Sequence, residues 1–260
     1  MAETDTGRLL PPDAWRVETL RVTAFPIPAA PAKDYGWWTT LVGEPPESTT
    51  DRHRESMRRE EGPFCGGRLV SDVRPLRIDW LLIPSQDESA EAADWRSVGS
   101  LPEVVEPFIQ LMLRWFGLES CPAIVRLAFA AVVFHPVETK DAGYRQLDAY
   151  LPSVQLDAEG ASDFLYKINR QRPSDSSVSS LVLNRLSTWS VSMRQKLGIV
   201  IEQSGPAYAE FEKGAYACRL ELDINTGQGR REELPRDSLH RLLLELVELA
   251  KEIVAKGVIP

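Results

Sequence analysis

Cysteine and histidine are scarce, with three of each in 260 residues. Cys65, Cys121 and Cys218 are odd in number, widely spaced and form no CxxC pair. That pattern excludes a disulfide framework and suits a reducing compartment, so a cytoplasmic location is expected. His53, His135 and His240 fall in no HxH, HExxH or Cys/His ligand spacing, so no metal site is expected. No apolar run approaches the roughly 20 residues of a membrane span. The longest, residues 127–134, has the length of a buried strand, and no membrane is expected as a partner. GxSxG, Walker A and GxGxxG loops are missing, which leaves no signal for a cofactor. Gly227-Gln228-Gly229 fits a turn better than a phosphate loop. Residues 1–12 carry acids and no apolar h-region, so residues 1–15 are read as a disordered leader rather than a signal peptide.

What is present describes a globular chain: 43% hydrophobic and 26% charged residues, both ordinary values. The net charge of −8 argues against bulk affinity for nucleic acid or anionic membrane. It leaves room for a local basic patch.

Periodicity predicts strands over 17–27, 64–70, 76–83, 124–134, 164–170, 186–193 and 215–224. Residues 51–61, dense in charge, read as a short exposed helix or a loop, and 87–94 as an acidic connector. A helix ends at Gly117; Ser100 offers a cap for its start, but Pro107 would then sit inside, so the regular part is expected from near Glu106 with that proline in the first turn. Another short helix is expected over 138–150. The clearest element is a helix over 235–256, where Leu239, Leu242, Leu243, Leu246, Leu249, Ala250 and Ile253 recur at helical spacing before Gly257. The order of elements repeats. Each part opens with a strand and closes with an acid-bearing strand (Arg77-Ile78-Asp79, then Glu221-Leu222-Asp223-Ile224), a Leu-Pro and an apolar helix. The expected fold is α+β, with two similar halves, 16–120 and 121–260, each an antiparallel sheet covered by a C-terminal helix. The plainer reading is that strand–loop–helix simply occurs twice.

Two acids sit in mid-strand, Asp79 and Asp223. Such carboxylates either face solvent or need a partner; as a pair they would suit acid–base or metal chemistry. Trp80-Leu81-Leu82 follows Asp79, so the Glu-x-Lys strand of PD-(D/E)xK nucleases is missing. A Cys65 thiol with His135 as base has nothing local to support it. Trp37, Trp38, Asp79 and Trp80 could line a pocket, though clustered tryptophans are more often core. The strongest binding signal is residues 163–196. Lys167, Arg170, Arg172, Arg185, Arg194 and Lys196 stand against Asp163 and Asp175, a local net of +4, with aromatics interleaved as phosphate- or acid-binding surfaces have them. The alternative is a solvated sheet face.

The phrases Trp37-Trp38-x-x-Leu41-x-Gly43-Glu44-x-Pro46-Glu47, Arg77-Ile78-Asp79-Trp80, 164–170 (FLYKINR), Asn184-Arg185-Leu186-Ser187-x-Trp189-Ser190 and Leu222-Asp223-Ile224-Asn225-Thr226 resemble a sporadically distributed bacterial protein family of about this length. The resemblance spans most of the chain after residue 17. It brings no activity, cofactor or catalytic residue, and implies mobile or defence-associated gene neighbourhoods. The resulting expectation is a non-enzymatic adaptor subunit of a multi-component bacterial assembly of the antiphage kind. It would hold protein subunits, or nucleic acid, through Lys167, Arg170, Arg172, Arg185 and Arg194 by charge-assisted contacts. The alternative is a small-ligand receptor or enzyme built on the tryptophans and Asp79.

Overall fold

A computed structural model describes residues 8–27, 29, 31, 33–85, 95–195, 197–200, 208–211 and 214–258. The elements in chain order are β1 (Arg16–Pro26), α1 (Trp37–Val42), β2 (Ser48–Arg52), β3 (Met57–Phe64), β4 (Gly67–Arg74), β5 (Arg77–Pro84), β6 (Gly99–Ser100) and α2 (Leu101–Gly117). Then come β7 (Ile124–Val137), α3 (Lys140–Asp148), β8 (Leu165–Asn169), β9 (Arg172–Pro173), β10 (Val182–Arg194), β11 (Leu197–Val200), β12 (Tyr208–Phe211), β13 (Ala215–Thr226) and α4 (Leu239–Lys256).

The expectation of two sheet-plus-helix halves is corrected. There is one eleven-stranded antiparallel sheet, in the order β2-β3-β4-β5-β1-β7-β13-β10-β8, with β6 beside β1 and β9 beside β10. The opening strands of the two expected halves pair with each other, Arg16 against Phe134 through Pro26 against Ile124. The physical reason is the edge. A sheet ending at β1 and another ending at β7 would each leave a long row of unpaired N–H and C=O groups, and joining them removes both rows.

Alternation sorts the side chains onto two faces. One row runs Gly62, Leu69, Leu82, Leu20, Ala131, Leu222, Ser187, Ile168 across eight strands. It is the floor of the core, and the helices pack on this side: α2 over β1, α4 over β7, β13 and β10, and α3 against β13 and β10. Helices α2 and α4 also pack on each other, and α1 presses Trp38 onto Gly62 of β3. The broad apolar arc of α4 is buried against these layers, Val247 included, while Leu244 stays exposed. No helix among the described residues is long and apolar enough to cross a membrane.

Three local expectations are also revised. Helix α2 starts at Leu101, not near Glu106, because Ser100 and Glu103 form a capping box, with the Ser100 N–H donating to Glu103 Oε2 at 3.0 Å. Hydrogen bonds from the Ser100 side chain and N–H hold the Glu103 carboxyl below its usual range. Pro107 consequently lies inside the helix. Residues 51–61 lie mostly in β2 and β3, whose charges pair across and along the edge: Arg58 with Asp51 (2.8 Å), Asp34 (3.0 Å) and buried Glu60 (2.9 Å). Of the expected leader, residues 8–15 are anchored. The Leu10 N–H and Trp15 Nε1 both donate to the Tyr150 hydroxyl (2.8 and 3.3 Å), and Trp15 is fully buried. Residues 1–7 and the acidic connector 87–94 lie outside the described residues.

Gly257 ends α4 with φ +78°, and Val258 N–H donates to the Tyr150 carbonyl at 3.0 Å. A Cβ at 257 would overlap that carbonyl oxygen. Gly257→Ala is therefore expected to lower stability by roughly 1–3 kcal/mol, read as a drop of several degrees in Tm. An unchanged Tm would show that the end of α4 is not docked on Tyr150.

Candidate functional site

The second face of the sheet carries no helix among the described residues. Its centre is set by three cross-strand rows. Thr19, Val132, Glu221, Thr188 and Lys167 form one; Arg21, Ala130, Asp223, Leu186 and Asn169 the next; Thr23, Ala128, Asn225 and Asn184 the third. Alanines at 128 and 130 lower the surface along β7 between taller side chains on β1 and β13. The result is a groove with a depression of about 270 Å³ that Arg21, Lys167, Thr188 and Asp223 line. Trp95 stands beyond one end, against Phe134 (5.1 Å between ring centres), with the Arg194 guanidinium 4.5 Å over its ring and Nε1 donating to the Ala215 carbonyl.

The charges of this groove are unevenly satisfied. Glu221 is ion-paired with Arg219, and Asp223 Oδ1 accepts from Asn225 Nδ2 at 2.9 Å. Arg219 and Arg194 share Glu18, at 3.0 and 2.6 Å. The Arg21 Nε is buried and has no hydrogen-bond partner, and among the described residues no ion pair engages Arg21 or exposed Lys167. The acids are held by the protein's own donors, whereas these two cations face the groove with donors to spare.

No family model, curated protein or solved structure matches the chain.

The structure divides the basic stretch. Lys167 and Arg194 lie on the open face. Arg170 and Arg185 belong to the opposite one, since Arg185 pairs with Ile224 in register with buried Leu183, Ser187 and Trp189. Arg172 is ion-paired with Asp175 at 2.5 Å, and Lys196 lies outside the described residues. The five candidate contacts, Lys167, Arg170, Arg172, Arg185 and Arg194, therefore do not form one surface. A pitch of two sends neighbouring cations to opposite sides.

The pocket of Trp37, Trp38, Asp79 and Trp80 is not formed either. Asp79 is on the open face beside Thr23, which donates to Oδ1 at 2.5 Å, and Arg77, which donates to Oδ2 at 2.6 Å. Trp80 points the other way into the core, where it and Trp37 meet Trp115 edge-on. A carboxylate so engaged is not a poised base. Asp79 and Asp223 are also kept apart, with β1 and β7 between their strands, about 14 Å at the usual strand spacing. Cys65, in the β3–β4 turn, and His135, on β7, are separated by β4, β5 and β1, and His135 Nδ1 donates to the Ala14 carbonyl at 2.9 Å. Among the described residues no group of three or more His, Cys, Asp or Glu could hold a metal ion. Sequence reasoning passed over Arg21. Its signal was the one that singled out Asp79, a charge between Leu20 and Val22 in mid-strand.

Burial pushes the Cys121 and Cys218 thiols up to about 12, while Cys65 is exposed. Partial desolvation raises the Cys65 thiol too, but of the three it alone is open to solvent, and access as well as thiolate character decides alkylation. Iodoacetamide on the native protein should therefore alkylate Cys65 alone, as peptide mass spectrometry would read. Rapid labelling of Cys121 or Cys218 would contradict the packing described.

Proposed function

We propose that this chain is a non-enzymatic binding subunit of a larger cytoplasmic bacterial assembly, and that it receives an acidic segment of a partner protein in the groove of the open sheet face. The observation that carries this reading is the pair Arg21 and Lys167, cations with unused donors at the two sides of the depression, Arg21 on β1 beside Ala130 and Lys167 on β8 beside Thr188. A carboxylate-bearing segment supplies the missing acceptors. Charge-assisted hydrogen bonds contribute roughly 1.5–3 kcal/mol each, so two decide whether such a complex forms. The chain's net charge of −8 does not prevent it, because at physiological salt fields decay over about 8 Å and the groove's own cations are nearer. Thr19 and Thr188 add neutral hydrogen-bonding groups along the path. The adaptor reading also draws on the occupied state of the candidate catalytic groups: Asp79 is taken by Thr23 and Arg77, and the buried thiols are held protonated. A defence-associated setting is supported by the sequence resemblance alone.

The test is co-purification with the products of neighbouring genes, then titration of the captured protein against wild type and the Arg21→Gln/Lys167→Gln double variant. The double variant should bind tenfold or more weakly at unchanged Tm, while Arg172→Gln, outside the groove, should bind as wild type does. Equal binding by the double variant would end the proposal. A complex that dissolves with nuclease, and whose affinity falls steeply with salt, would replace the protein partner with nucleic acid.

A further inference from the structure

Beneath the end of α4, on the helix-covered face, lies a second basic feature unrelated to the groove. Arg185 is 7% exposed, and its Nε is buried without a partner. Arg170, whose N–H bonds the Arg185 carbonyl at 3.2 Å, likewise keeps a buried Nε without a partner. Among the described residues neither guanidinium has a hydrogen bond or an ion pair. Both line a small cavity together with Ile168, Ser187, Ile253 and Val258.

The charges around this cavity do not balance. Glu252 on α4 is felt by Arg185, but it makes no ion pair with it and is instead bonded to Lys256 at 3.2 Å. Arg172 adds further positive field, though its own guanidinium is held by Asp175. The carboxyl end of α4 offers about half an elementary negative charge, against two full ones on the arginines. Desolvation without a counter-charge is the costly state of a buried ion. Ser187 adds a neutral group: its Oγ accepts from Trp189 Nε1 at 3.2 Å, which leaves its own O–H to donate. The cavity's free volume is about 10 Å³, near the minimum for one water-sized occupant. Half-buried Arg170 marks its way out to the surface.

The geometry points to an oxyanion site: one oxygen of a carboxylate or phosphate enters between Arg170 and Arg185, within reach of Ser187, and the rest of the group projects towards the surface. Two planar guanidinium forks favour such a group over a spherical ion. The site does not depend on the groove on the other face.

The experiment is thermal unfolding of the whole chain, titrated separately with sodium phosphate, sodium acetate and sodium chloride at constant ionic strength in HEPES. Phosphate and acetate should each raise Tm in a saturable way, as ligands of the native state do, and chloride should not. Arg185→Met should be at least as stable as wild type without added anion, since it removes an uncompensated buried charge, and should lose the anion response. Arg170→Met should weaken the response tenfold or more, and carries the test if Arg185→Met does not fold. Arg21→Gln should leave it intact. The site is overturned if no anion shifts wild type, if chloride acts as well as the oxyanions, or if the shift survives in Arg185→Met.

Discussion

The pairing of β1 with β7 is the constraint on which the rest depends. It joins six strands on one side of the junction to five on the other, β6 and β9 included, and gives α2 and α4 one shared floor. It also creates the groove, which has β1 as one wall, the alanines of β7 on its floor, and β13, Thr188 of β10 and Lys167 of β8 towards its far side. Were β1 and β7 each the free edge of a separate sheet, Arg21 and Asp223 would not overlook the same alanines. The core tells the same story from below, where Leu20 of β1 sits between Leu82 of β5 and Ala131 of β7.

Coverage from one side explains the chemistry of the open face. A sheet with helices on one face only must put water-compatible side chains on the other, and this one does so largely with pairs two residues apart on one strand. Arg59 with Glu61, Asp72 with Arg74, Arg77 with Asp79 and Arg219 with Glu221 follow that spacing. Such half-exposed pairs contribute little to stability. They do neutralise the face locally, and against that neutral ground Arg21 and Lys167 are exceptions.

Elements with a clear apolar pattern were legible in the sequence. Helix α4 follows from its leucine spacing, and β5 and β7 from apolar runs of strand length. The capping box of α2 was written in Ser100 and Glu103, but Pro107 outweighed it. Residues 48–64 were not legible as strands because charge falls on both faces: Glu60 is buried beside Arg58 while Arg59 and Glu61 point outward. Strand order was hidden for a different reason. It depends on which edges meet, and a single strand's pattern does not record its neighbour. The basic stretch was visible as composition, but its meaning depends on alternation and on a hairpin. Lys167 and Arg170 sit three residues apart on opposite faces, whereas Arg170 and Arg185 lie fifteen apart in sequence and close in space.

Arg185 shows how far such a reading can be carried. Its position is fixed by register: Leu183, Ser187 and Trp189 on the same strand face the helices, so residue 185 must as well. A Met or Leu there would meet Ile168 and Ile253 without electrostatic cost, and replacing buried charges by apolar groups of similar size is commonly neutral or stabilising. Packing therefore gives no reason for an arginine. Pairing among the described residues gives none either, because Glu252 is engaged by Lys256 and Asp175 by Arg172. A lysine would meet the demand for charge less well, since its ammonium is more strongly hydrated and lacks the planar fork. Two guanidiniums directed into one small cavity beside a free hydroxyl are accounted for when the missing negative charge comes from outside the chain.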